Sequence, residues 1–210
     1  MRHAVRIIDR SEFDSDAILE PDNIEMARAR EYALMATLLS RSPDEFLLQR
    51  IAELPDDASP IGVAHSALAY AARCASAPKL QREYFDLFVG LGHGELLPYG
   101  SYYLTGFLHD RPLARLREDL SKLGLERVTE QAESEDHAAI LCEIMAGLVS
   151  RRFPTAPGSD RLVFERHLLP WIGRFFADLE QAQSATFYRP VGRLGRAFID
   201  IEAEAFALPS

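Results

Sequence analysis

In the segment Met26 to Ser40, MARAREYALMATLLS, the apolar residues Tyr32, Met35, Ala36 and Leu39 stand at i, i+3, i+4 and i+7, the spacing of one helix face. The next segment opens with SPDE, where Ser42 is expected to cap a helix, Pro43 to take its first position and Glu45 to complete a capping box. That helix is expected to bury Phe46, Leu47, Ile51 and Leu54 and to stop at Pro55. The Ser-Pro pattern recurs at Ser59-Pro60 and opens an alanine-rich segment through Cys74, whose small side chains permit close helix contact. Pro78 then starts a helix bearing Leu80, Tyr84, Leu87, Phe88 and Leu91.

Helical periodicity breaks from Gly90 to Gly106, GLGHGELLPYGSYYLTG, which reads as one long ordered loop of a length that is often functional. Leu113, Leu116, Leu120 and Leu123 restore the helical spacing after Pro112, and Gly124 is placed to end that helix. LERVTEQAESED reads as a polar linker into a helix carrying Leu141, Ile144 and Leu148. This helix fades at RRFPTAPGSD, 151–160, the expected hinge or boundary before a helical C-terminal third. Residues 1–22 carry weak periodicity and are expected to form a loosely held tail, and no strand of period 2 emerges. The expected fold is all-α: a single globular multi-helix domain over 23–210, built of many short helices rather than a simple four-helix bundle.

Composition narrows the function classes. A formal charge of −9 over 210 residues, without a block of like charges, argues against phosphate-directed nucleic-acid binding and would favour a cationic partner. Two distant cysteines, Cys74 and Cys142, exclude a disulfide framework and a zinc ribbon and suit a reducing compartment. With no signal-peptide core and no apolar run long enough to span a membrane, the expectation is a cytoplasmic protein.

Candidate chemistry is sparse. The six histidines, His3, His65, His93, His109, His137 and His167, match no metal motif, so neither a metal nor another cofactor is expected. GLGHG lacks the strand-turn-helix context of a dinucleotide site and the Lys-Ser/Thr of a P-loop, and its glycines read as a chain turn. Asp136-His137 could suggest a general-base pair, but adjacent helical residues point about 100° apart and no G-x-S-x-G nucleophile accompanies them. The plainer reading is a helix entry capped by Ser134, with Glu135 and Asp136 in the first turn favoured by the helix dipole. His137, near the same positive end, would stay neutral and act as a hydrogen-bonding group. PYGSYY places three tyrosines and a proline in the loop, where they could line a peptide groove.

Four segments, YFDLFVG, LPYGS, ESEDH followed by EIM, and HLLPW, stand in an order that resembles the TorD/DmsD-like chaperones of redox enzymes. The resemblance runs from about Met26 to the C-terminal helix. Against the family pattern, Tyr84, Leu87 and Phe88 match Tyr-x-x-Leu-Phe. Pro98, Tyr99 and Ser101 match Pro-Pro-Tyr-x-Ser, with Leu97 where the first proline is usual. Glu133, Asp136 and His137 match Glu-Pro-x-Asp-His, with Ser134 replacing proline.

The resemblance implies an all-helical fold without catalytic turnover. It also implies a cytoplasmic role: binding the leader peptide or the apo-form of a molybdenum or tungsten cofactor oxidoreductase, such as a formate dehydrogenase or a DMSO/TMAO reductase, until its cofactor is inserted. Where the client is exported, it implies delay of twin-arginine translocation. The nine matched residues become the candidate client-binding set, with Glu133 and Asp136 facing the leader's arginines. The partners implied are the molybdoenzyme catalytic subunit and its N-terminal leader, with no nucleic acid and no stable membrane insertion. The chain would be a monomer, or a dimer that swaps C-terminal helices about 151–160. The alternatives are an all-α nucleotide-binding protein or hydrolase using the Gly-rich loop and Asp136/His137, and a helical interaction scaffold.

Overall fold

The computed structural model describes residues 5–7, 21–128 and 132–208. The all-α expectation is borne out: ten α-helices carry the described chain, with one two-stranded ribbon. They are α1 (Asn23–Ser40), α2 (Glu45–Ala52), α3 (Pro60–Cys74), α4 (Ala77–Tyr84), α5 (Gly100–Thr105), α6 (Arg111–Lys122), α7 (Ala138–Val149), α8 (Ser159–Val163), α9 (Leu169–Gln181) and α10 (Tyr188–Ala207). Wider π-turns extend α4 through Phe85–Val89 and join α8 to α9 through Phe164–Leu168. The chain divides into two compact units, 1–36 with 99–170 and 37–98 with 171–210. The expected tail, 1–22, lies outside the described residues except at 5–7 and 21–22.

In the first unit α6 buries Leu113, Leu116 and Leu120, and Gly124 takes a φ of +68° immediately beyond it, as expected of a residue ending a helix. Two expectations are corrected here. Within the stretch read as one loop, 100–105 is helix α5; at six residues it is under two turns, too short to register as periodicity. The polar linker contains strand β2 (Leu125–Arg127), which pairs antiparallel with β1 (Val5–Ile7) in the register Val5↔Arg127 and Ile7↔Leu125. Three-residue strands cannot show a period of two. Helix α7 is buried along nearly its whole length, with Leu141, Ile144 and Leu148 in the core.

The stretch 151–160 lies inside this unit. Arg151, at φ +56°, binds both carboxylate oxygens of Glu25 at 2.9 Å, and Phe153 is buried. A hinge there remains a proposal.

In the second unit α3 packs against both α2 and α10. Ser59 caps α3 by accepting from the Gly62 amide at 3.1 Å. The cap of α2 is Asp44 instead of Ser42: its carboxylate accepts from Leu47 N at 2.8 Å. Glu45 does not reach back to its own helix but accepts from Ala77 N, the first residue of α4, at 3.1 Å. The buried face of α2 is Leu48 and Ile51, with Phe46 exposed and Leu47 and Leu54 half-buried. Leu91, expected on the α4 face, lies beyond the π-turn and is 98% exposed. Trp171, Phe175, Phe176 and Tyr188 fill the core of this unit.

Candidate functional site

The nine residues singled out by the sequence fall into two groups, one in each compact unit. Tyr99, Ser101, Glu133, Asp136 and His137 belong to the first, and Tyr84, Leu87, Phe88 and Pro98 to the second.

The first group converges on the entry to α7. Residues 134–137 form a turn closed by His137 N–H donating to Ser134 O at 3.0 Å, and the helix starts at Ala138. Its cap is therefore His137 and not Ser134: the ring Nδ1 accepts from Ala139 N at 3.1 Å, which assigns the proton of the neutral ring to Nε2. Burial pushes His137 down to about 4, against the raising pull of Glu133 and Asp136, so the imidazole is neutral at physiological pH. The expectation of a neutral, hydrogen-bonding histidine holds, by burial more than by the helix dipole.

Asp136 faces α5. Its Oδ2 accepts from Ser101 N at 2.8 Å and its carbonyl from Gly100 N at 2.9 Å, so one residue satisfies two orphan amides of a helix that has no cap of its own. The remaining oxygen, Oδ1, accepts from the Ser134 hydroxyl at 2.6 Å. Ser101 in turn accepts from His109 N through its hydroxyl at 3.1 Å. Asp136 and Ser101 are both buried, at 2% and 0% exposure, so their polar atoms are spent within the protein.

Tyr99 precedes α5, pairs with His137 in an isolated antiparallel bridge, and meets its ring edge-on at 5.0 Å. Its hydroxyl donates to Glu133 Oε2. Tyr99 and Glu133 are only half-buried, so of the first group they alone keep access to solvent.

Residues outside the nine candidates brace this turn. Buried Glu135 accepts from Arg117 at 2.8–2.9 Å and lies 4.0 Å from Arg127, whose guanidinium also donates to Glu133 O at 3.2 Å. The bond to Glu135 makes Arg117 hold its proton more firmly still. The sequence carried no local signal for this pair: Arg117 is exposed on α6, and its partner Glu135 lies 18 positions away. Close to the end of the same helix, buried Asp119 accepts from His167 Nε2 and from Arg166, each at 2.9 Å. Burial pushes His167 below its ordinary value, against the pull of Asp119.

The second group is mostly core. Leu87 is fully buried and Pro98 is buried. Tyr84 and Phe88 are half-buried and meet at a tilt with ring centres 5.1 Å apart, and both meet buried Tyr188, at 6.1 and 5.4 Å. The Tyr84 and Tyr188 hydroxyls donate to Leu39 O and Leu38 O, at 3.2 and 2.9 Å.

The geometry does not support the hydrolase or nucleotide alternative. Asp136 and His137 spend their polar atoms on different partners, so they make no acid-base dyad. Gly90 and Gly92 turn the chain at φ +60° and +102°, and a side chain on Gly90 would strike the His93 carbonyl. Among the described residues no group of three or more His, Cys, Asp or Glu could hold a metal ion. No described helix is long and apolar enough to cross a membrane.

Comparison with known proteins agrees with the arrangement of motifs. The chaperone protein TorD of Vibrio cholerae serotype O1 is 30% identical over 130 residues, 58% of this chain and 59% of that protein. A "probable Tat proofreading chaperone DmsD" of Haemophilus influenzae is 26% identical over 117 residues, 55% of this chain and 56% of its own. The match thus spans about six tenths of the length of these curated relatives. The crystal structure of a "putative redox enzyme maturation protein" from Archaeoglobus fulgidus superposes with a TM-score of 0.58 at 19% identity, over 89% of this chain and 99% of that one, which establishes a shared fold. The family model of the nitrate reductase delta subunit matches residues 54–177, more than half of the chain. On that match the chain belongs to the nitrate reductase delta subunit family, among relatives of the TorD/DmsD type.

Proposed function

We propose that this protein is a cytoplasmic chaperone for a molybdenum or tungsten cofactor oxidoreductase, binding the leader peptide or apo-form of its catalytic subunit until the cofactor is inserted. It carries out no catalytic step, and where the client is exported it delays twin-arginine translocation. Family membership and the names of the TorD and DmsD relatives support the class of partner.

The observation that carries the reading is the contrast at the α7 entry, where half-buried Tyr99 and Glu133 stand on a buried, internally bonded scaffold of Ser101, Asp136 and His137. In this reading Glu133 meets the arginines of the leader, and Asp136 and His137 act through it by fixing the turn. The aromatic group of Tyr84, Leu87, Phe88 and Pro98 holds the shape of the second unit and offers its half-buried ring edges to the apolar part of the client.

Calorimetry with a synthetic twin-arginine leader tests this. The wild-type protein should bind it, and either Glu133→Gln or an Arg→Gln leader should weaken binding about tenfold, the loss of one charge-assisted hydrogen bond. A folded protein that captures neither the leader nor the apo-subunit would reject the proposal.

A further inference from the structure

The second unit carries a groove that the leader reading leaves unused. A cavity of about 910 Å³ lies among α3, α4 and the segment entering α10. Ala67, Ala71 and Cys74 line its α3 side, at i, i+4 and i+7, a single face of small side chains, and Ala75 follows just beyond the helix end. Such a face lets another helix approach closely. Tyr70 stands beside it at 67% exposure, and Leu80 and Phe187 add buried apolar surface.

Charge sets this groove apart from the rest of the acidic chain. Its lining carries Lys79, Arg82, Arg189 and Arg193 against Glu83 and Asp86. Arg82 is held by Asp86 at 3.0 Å and Arg193 by Glu180 at 3.3 Å. Lys79 and Arg189 have no carboxylate partner among the described residues.

Five backbone amides around the groove are already occupied by carboxylates. Glu83 Oε1 accepts from Thr186 N and Tyr188 N at 2.7 and 2.8 Å, Glu95 from Gln183 N and Ser184 N at 2.6 and 3.0 Å, and Glu45 from Ala77 N. These amides are closed to a phosphate, and recognition rests on two side-chain cations beside an apolar helix face.

We propose that this groove docks an amphipathic helix of a partner protein whose apolar stripe lies on the Ala67–Ala71–Cys74 face and whose flanking carboxylates meet Lys79 and Arg189. The inference stands apart from the leader reading, because a cationic leader carries the opposite charge.

The native cysteines report occupancy. Cys74 is exposed in the groove, whereas burial pushes the Cys142 thiol up to about 12, so a thiol reagent modifies Cys74 alone in the folded chain. The probes are synthetic helical peptides of about five turns with one leucine stripe flanked by Glu, by Gln or by Lys. The Glu peptide should slow Cys74 modification in the full chain, the Gln peptide should need about tenfold more to do so, as expected for two exposed charge pairs, and the Lys peptide should not protect. The K79E/R189E double variant should reverse the preference towards the Lys peptide, and K79Q/R189Q should erase it. Equal protection by all three peptides, no protection by any, or an unchanged preference in the folded variants would overturn the proposal. So would protection by inorganic phosphate or GTP in place of the Glu peptide, which would make the groove an anion site.

Discussion

Acidification should destabilise this protein through His137, and replacing that one residue should remove its share of the dependence. The ring sits buried at the entry to α7, and burial lowers its value from 6.5 to about 4. Between those two values the unfolded chain holds a proton that the native state refuses. The His137 contribution is therefore present in full well above pH 6.5, falls as the pH drops, and levels off below about pH 4. The whole window is worth about 3 kcal/mol, of which about 2 kcal/mol is gone by about pH 5. His167, also lowered by burial, titrates in the same direction, so the wild-type profile alone cannot isolate His137.

His137→Asn isolates it. The Asn side-chain oxygen can take the position of Nδ1 and accept from Ala139 N, preserving the cap, but it carries no titrating group in this range. The variant loses the ring contact with Tyr99 and should be about 1 kcal/mol less stable at neutral pH. Urea denaturation across the pH range should show the two curves converging, then crossing, as the medium is acidified. Parallel profiles for wild type and variant would refute the assignment of His137 as a buried neutral cap.

Asp136→Ala strips acceptors from the Ser101 amide and the Ser134 hydroxyl inside the protein and should cost about 2–4 kcal/mol in urea denaturation at neutral pH; Asp136→Asn, with a single acceptor oxygen, should fall between. Gly147→Ala would drive a methyl group into the Phe153 ring and should cost about 1–3 kcal/mol, partly recovered by trimming that ring in a Gly147→Ala, Phe153→Leu double variant. Arg117→Met leaves buried Glu135 short of its best-placed cation and should cost about 1–3 kcal/mol, with the further change Glu135→Gln restoring stability in a double-mutant cycle.

The helical elements were legible because each buries a stripe that the sequence spells out locally. Tyr32, Met35, Ala36 and Leu39 in α1 and Leu113, Leu116 and Leu120 in α6 are core residues as their spacing predicts. The misread positions share a physical cause: several carboxylates here satisfy helices other than their own. Asp136 accepts from Ser101 N, 35 positions away, so α5 needs no local cap, vanishes into an apparent loop, and leaves its true acceptor looking like a first-turn acid of α7. Glu45 serves α4 from 32 positions away, and what resembled a local capping box at Ser42 shifts to Asp44. Glu83 does the same for the amides entering α10. Capping rules written in offsets of three cannot see such pairings, because the acceptor is chosen by the fold.

The same fact sorts the acidic residues of the candidate site. Motif matching gave Glu133 and Asp136 one role, facing a cationic leader, yet Asp136 has both oxygens and its carbonyl engaged by the protein, and Glu135 beside it is taken by Arg117. Glu133 keeps solvent access and is bonded at the site through the hydroxyl of Tyr99, which is also half-buried. An arriving guanidinium can join that bond without unmaking the scaffold beneath it. Substitutions at Asp136 and His137 should therefore change leader binding in proportion to the stability they remove, while Glu133→Gln should change binding and leave stability nearly where it was. Loss of binding in a fully stable Asp136 variant would return that carboxylate to the contact surface.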